Sequence, residues 1–154
     1  MSHFAITVFL HVFFAIVAVG TNMTYLVLLW WSRRQPDLVV YALKTIRMLD
    51  SRLANPAYML VLLTGFVMVF TVPFPLTTPW ILSGLVLYVV IAVLGIAVYA
   101  PAFRRQMQIA VRDGIEGEAY QRAARFANIL LGAVALLAAL IVFLMVVKPP
   151  LWAA

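Results

Sequence analysis

The chain has no cysteine, two histidines and only five acidic residues among its 154. The missing cysteines exclude disulfides, thiolate metal centres and thiol nucleophiles. The scarcity of charge excludes more. Charged residues make up 10% of the chain and hydrophobic residues 66%, with mean hydropathy +1.09, whereas a water-soluble domain carries about 25% charged residues. Its solvent is therefore a bilayer. Carboxylates are also missing from the apolar runs: Asp37, Asp50, Asp113, Glu116 and Glu118 all lie between them. A carboxylate relay carrying protons or cations through the membrane has no residues to use. Nor is there a phosphate-binding loop, a zinc-protease signature or a serine-hydrolase elbow.

What is present is four long apolar runs, over residues 4–31, 56–72, 80–100 and 127–147. An α-helix rises about 1.5 Å per residue and the hydrocarbon core is about 30 Å thick, so about 20 residues cross it. The first run is longer than a crossing needs and must tilt or protrude. No Lys or Arg precedes Arg33, so this run lacks the basic leader of a cleavable signal and is expected to stay as a span. The fold class expected is all-α, a transmembrane four-helix bundle forming one domain over residues 1–154.

Arg33, Arg34, Lys44, Arg47 and Arg52 separate runs one and two, and Arg104, Arg105, Arg112, Arg122 and Arg125 separate runs three and four. Only Lys148 lies elsewhere, at the far end of run four. The positive-inside rule makes both basic loops cytoplasmic and both termini non-cytoplasmic. Trp30, Trp31, Tyr58 and Tyr99 are then expected in an inner aromatic belt, with Trp80 and Trp152 in an outer one. The net charge of +6 thus reads as topology and contact with anionic membrane lipids, not as nucleic-acid binding.

The basic loops carry pattern of their own. Leu43, Ile46, Leu49 and Leu53 recur at helical spacing between cations, predicting a short amphipathic helix lying at the interface. Gly114 and Gly117 predict the turn of a short helical hairpin in the other loop. Arg33-Arg34-Gln35 is echoed by Arg104-Arg105-Gln106, and Arg52-Leu53-Ala54-Asn55 by Arg125-Phe126-Ala127-Asn128. The echoes fit two repeated hairpins related by an axis along the membrane normal. Convergent juxtamembrane arginines fit them equally.

Polar groups inside a span are the first places to look for chemistry, because lipid makes them costly. His11, about 10 Å into the first span by helix rise, is the one ionisable side chain well inside a run. Two readings stand: ligation of haem iron, a metal or a quinone-like or tetrapyrrole ligand, and an interhelical hydrogen bond to a Ser, a Thr or a backbone carbonyl. His3 lies about 12 Å away along one helix, too far for both histidines to ligate one iron. Met68, Met145 or a second His11 across a homodimer remain as partner ligands, and Met also serves as core filler. Thr21, Asn22 and Thr24 form a polar step that Asn128 is expected to meet, amid the small residues Ala15, Ala18, Gly20, Gly132, Ala135, Ala138 and Ala139. Lys148, before Pro149 and Pro150, either snorkels to headgroups or turns back toward His11.

Leu10-His11-Val12, Arg52-Leu53-Ala54-Asn55-Pro56-Ala57 and Val146-Val147-Lys148-Pro149 resemble the HemJ class of protoporphyrinogen oxidases, small all-helical bacterial membrane enzymes linked to haem b. Pro79-Trp80-Ile81-Leu82-Ser83-Gly84 and Tyr99-Ala100-Pro101-Ala102-Phe103-Arg104-Arg105 more closely resemble an uncharacterised family of predicted four-helix integral membrane proteins. The resemblance to the enzymes implies a haem or tetrapyrrole at His11, support from Lys148 and a bacterial inner membrane. The enzymes carry further Lys and His residues around their third span, and residues 80–99 here contain neither. The uncharacterised family is therefore the better match. The function expected is an accessory subunit of a larger membrane complex, or a binder of a hydrophobic cofactor, rather than an enzyme. A tetrapyrrole oxidase and a small solute or lipid transporter are the alternatives.

Overall fold

The computed structural model describes residues 3–71 and 75–151. Residues 72–74, which follow the second apolar run, and Trp152, expected in the outer belt, lie outside them. The described residues form α1 (His3–Ser32), α2 (Val39–Leu49), α3 (Asn55–Thr71), α4 (Pro79–Val93), α5 (Ala100–Arg112) and α6 (Glu118–Val147). A π-helical turn over Asp50–Ala54 joins α2 to α3, and another over Leu94–Tyr99 joins α4 to α5. The fold is therefore four continuous helices, His3–Ser32, Pro36–Thr71, Pro79–Arg112 and Glu118–Val147, each long and apolar enough to cross a membrane.

The two wide turns have the same physical cause. Pro56 and Pro101 each lie two residues beyond one. A proline inside a helix has no N–H to donate, and its ring collides with the carbonyl four residues back. Opening one turn to π-helical pitch removes that collision without ending the helix. The prolines that mark the limits of runs two and three in the sequence thus bend hydrogen bonding locally, and the helices pass through.

The basic loops are helical, as expected. The amphipathic helix is α2, which runs through the wide turn into α3 and turns Val39, Ala42, Leu43 and Ile46 into the bundle. The helical hairpin expected around Gly114 and Gly117 is present, but its arms are α5 and α6, the prolongations of spans three and four. Gly114 sits at φ +83, a left-handed conformation that glycine adopts without a Cβ clash.

At about 1.5 Å per residue, the 34-residue helix Pro79–Arg112 is about 51 Å long, some 20 Å more than the hydrocarbon core. The excess lies at the basic end, where the main core sits: Tyr25, Leu29, Val39, Leu43, Ile46, Ala54, Tyr99, Phe103, Ala110, Tyr120, Ala124 and Leu131. A smaller cluster of Ile91, Val134 and Ala138 lies further along. Toward the other end the helices pack chiefly as two pairs, α1 with α3 and α4 with α6, joined through α1 and α6.

The echoed segments occupy different places. Arg33–Gln35 forms the turn after α1, whereas Arg104–Gln106 lies in mid-α5. The small residues also divide. Ala18, Ala135 and Ala138 are buried, while a Cβ at Gly20 or Gly132 meets nothing. The close approaches are instead at Gly65, against His11, and at Gly84, against the Met145 methyl. The helix ends obey local chemistry. Pro79 starts α4 at a position whose N–H needs no partner, and Lys148 closes α6 in a left-handed conformation with its N–H on the Leu144 carbonyl.

Candidate functional site

His11 reaches from α1 to α3. Its Nδ1 lies 3.0 Å from the Val61 carbonyl oxygen and 3.1 Å from Thr64 Oγ1. The Thr64 hydroxyl donates to the Leu60 carbonyl at 2.6 Å, which leaves its lone pairs for the imidazole. The Val61 carbonyl can only accept, so Nδ1 carries the proton and donates. This tautomer is set by the hydrogen-bond network rather than seen directly, and it leaves the lone pair on Nε2. Gly65 completes the notch, since a Cβ there would stand 3.2 Å from His11 Cε1. The interhelical hydrogen bond is therefore present, and it does not consume the second nitrogen. A histidine with one ring N–H held by a backbone carbonyl is in the state that metal-ligating histidines adopt. The ring thus keeps Nε2 unprotonated, a nitrogen that would be able to hold a metal-bearing cofactor.

The other residues singled out with His11 do not join it in any described contact. Met68 is one turn beyond Thr64 on α3. Met145 packs on Gly84, within the α4–α6 pair. Lys148 is exposed and places Nζ 5.1 Å from the centroid of the Trp80 ring. The Arg34 guanidinium stacks on Trp30 at 4.2 Å at the basic end. Each end of the bundle thus carries a cation on a tryptophan, the arrangement interfacial anchors adopt.

A second polar region sits deeper in the bundle. Asn22 Nδ2 donates to the Tyr58 hydroxyl, and the Tyr88 hydroxyl donates to the Tyr58 carbonyl at 2.9 Å. Asn22 therefore meets Tyr58, not Asn128, while Thr21 and Thr24 bond back to the Val17 and Gly20 carbonyls of their own helix. Tyr58 and Tyr99 are not belt residues: Tyr58 turns inward to Asn22 and Tyr99 is buried in the main core. Tyr25, wholly buried, lies within electrostatic reach of Tyr58, Tyr99 and Asp50. Asp50 itself is half-buried at the mouth of this region, outside the apolar run of span two. Asn55 Nδ2 donates a 3.3 Å hydrogen bond to its Oδ2.

This cluster of tyrosines escaped the sequence reading, although one signal for it was available. Pro56-Ala57-Tyr58 and Tyr99-Ala100-Pro101 are mirror images on helices that run in opposite directions. Each therefore places a tyrosine two residues from its proline, on the side away from the basic end.

All ten cations of the basic end are exposed. Among the described residues, two of them form ion pairs, Arg112 with Asp113 at 3.1 Å and Arg122 with Glu118 at 2.7 Å. No group of His, Asp and Glu suited to hold a metal ion occurs among the described residues. Comparison with curated proteins and with solved structures finds no match. A family model does match, over residues 5–149, nearly the whole of the four-helix unit just described. The chain belongs to that family, the predicted integral membrane proteins designated DUF2269.

Proposed function

We propose that this protein is a membrane module that holds a hydrophobic cofactor, a haem or a related tetrapyrrole, through Nε2 of His11, and that it serves as an accessory subunit of a larger membrane complex. The observation that carries this reading is the hydrogen bond from His11 Nδ1 to the Val61 carbonyl, at 3.0 Å. It orients the ring and leaves Nε2 as a neutral donor in an apolar setting, where an imidazole is a good ligand to iron. Thr64 and Gly65 act through His11, the first by accepting a hydrogen bond and the second by giving the ring room. A bound haem would supply one-electron chemistry or a structural pigment.

The basic end is assigned to the cytoplasm and both termini to the opposite side of a bacterial inner membrane. Ten cations against one support the sidedness, and the resemblance in sequence supports the compartment. Lys148, resting on Trp80, acts here as an interfacial anchor.

The test is an absorption spectrum of the detergent-purified protein from cells supplied with ample haem. A Soret band is expected in the wild type, lost in His11→Ala and weakened in Thr64→Val. The same band at full height in His11→Ala would overturn the assignment, as would a colourless wild type. Complementation of a strain without its own protoporphyrinogen oxidase separates the enzymatic alternative: restored haem synthesis would replace the accessory role with catalysis.

A further inference from the structure

Among the described residues, four buried side-chain polar atoms have no hydrogen-bond partner: the Tyr25 and Tyr99 hydroxyls, Asn128 Oδ1 and Gln106 Oε1. All four belong to the half of the bundle nearer the basic end. Tyr25 and Tyr99 pack in one cluster with Ala54, Ala124 and Leu131, and Asn128 lies one turn from both Ala124 and Leu131 on α6. Gln106 is two turns beyond Tyr99 toward the basic end and only 1% exposed. The buried polar side chains of α1 are, by contrast, satisfied within the protein: Thr21 by Val17, Asn22 by Tyr58 and Ser32 by Leu29.

An unpaired hydroxyl in an apolar interior costs about 1–3 kcal/mol, so the two in one cluster call for partners, ordered water among them. Two further features converge on the same place. Both π-helical turns border it, and each one diverts backbone carbonyls from their normal helical donors. Asp50, the first residue of one of these turns, lies within electrostatic reach of Tyr25, Tyr58 and Tyr99. Tyr25 is six residues from Trp31, about 9 Å into the apolar region by helix rise.

We propose that Tyr25, Tyr99, Asn128 and the two wide turns enclose a hydrated vestibule, a chain of internal waters that opens past Asp50 to the basic end and stops at the Asn22–Tyr58–Tyr88 group. Water supplies what these groups lack, since each molecule makes about three hydrogen bonds to otherwise unmet polar groups. The vestibule brings water and protons into the bundle from one side only. It is a separate site from the notch at His11 and does not depend on a cofactor being bound there.

The absence of cysteine makes the test clean. In full-length protein in sealed membrane vesicles, single variants Ala54→Cys, Ala138→Cys and Arg105→Cys are exposed to a small charged methylthiosulfonate reagent. Ala54 is wholly buried beside Tyr25 and Tyr99, Ala138 is buried in the smaller cluster, and Arg105 is exposed at the basic end. Ala54→Cys is expected to react at least roughly tenfold faster than Ala138→Cys, because only a hydrated thiol ionises readily, and from the same vesicle face as Arg105→Cys. Equal, slow reaction at Ala54 and Ala138 would overturn the proposal, as would reaction at Ala54 from the opposite face. A second measurement covers variants that fold poorly. Tyr25→Phe and Tyr99→Phe are expected to lower the melting temperature in detergent by removing hydrogen bonds to water. A rise in both would mean dry, unpaired hydroxyls and would also overturn it.

Discussion

The two halves of this bundle solve opposite problems. Toward the basic end the helices outrun the bilayer and must pack as a soluble protein does, so α2 and α5 bury Leu43, Ile46 and Phe103 and turn their cations outward. Toward the other end the surroundings are lipid, and large side chains such as Phe9, Ile16 and Phe70 stand exposed at no cost, because acyl chains are as apolar as they are. Cohesion there comes from close helix approach at Gly65 and Gly84 and from the hydrogen bond of His11. Hydrophobic burial organises one half and geometric fit the other. Polar chemistry divides along the same line, with one histidine held at Nδ1 in the lipid half and unpaired tyrosine hydroxyls in the half with the dense core.

Substitutions can break or sharpen this contrast. The largest effect is expected from Leu43→Ala, which empties a fully buried site of the basic end. Thermal or denaturant unfolding should report a loss of about 2–5 kcal/mol, whereas Ile16→Ala, 66% exposed, should change little. Equal losses would mean that burial acts alike in both halves. Next comes Gly65→Ala, whose Cβ presses on an imidazole that two hydrogen bonds hold in place. Overpacking of this kind costs about 1–3 kcal/mol. Gly84→Ala meets the free end of Met145, which swings aside, so its melting temperature should stay closer to wild type.

A smaller effect is expected from Tyr58→Phe, which removes the acceptor for Asn22. Interhelical hydrogen bonds in membranes average about 0.6 kcal/mol and reach about 1.7, and a double-mutant cycle with Asn22→Ala isolates that term. The smallest belongs to Arg122→Ala. Its pair with Glu118 is an exposed i,i+4 bridge worth about 0.3–0.5 kcal/mol, and added salt should erase the difference in unfolding midpoint.

Much of the lipid half was readable along the chain. An apolar run long enough to cross declares itself through composition, and His11 stands out because no other side chain that ordinarily titrates near neutral pH lies within a run. The basic half was read less well, for a reason visible in particular residues. Leu43 and Ile46 have helical spacing, but spacing does not say whether an apolar face meets lipid or another helix. Tyr58 and Tyr99 stand at the ends of apolar runs, where belt residues also stand, and only packing shows that they turn inward.

By itself the sequence determined four membrane-crossing helices, the gathering of ten cations at one end and the isolation of His11, because each follows from the free energy of single side chains in water and in lipid. The tertiary structure decided the rest. It carried two helices through their prolines, since neighbouring helices hold the widened turns in place. It gave His11 a carbonyl and a threonine some 50 residues away, and it gathered four tyrosines from three helices into one polar interior. Those outcomes depend on which surfaces meet, and residues distant in the chain meet only when the bundle closes.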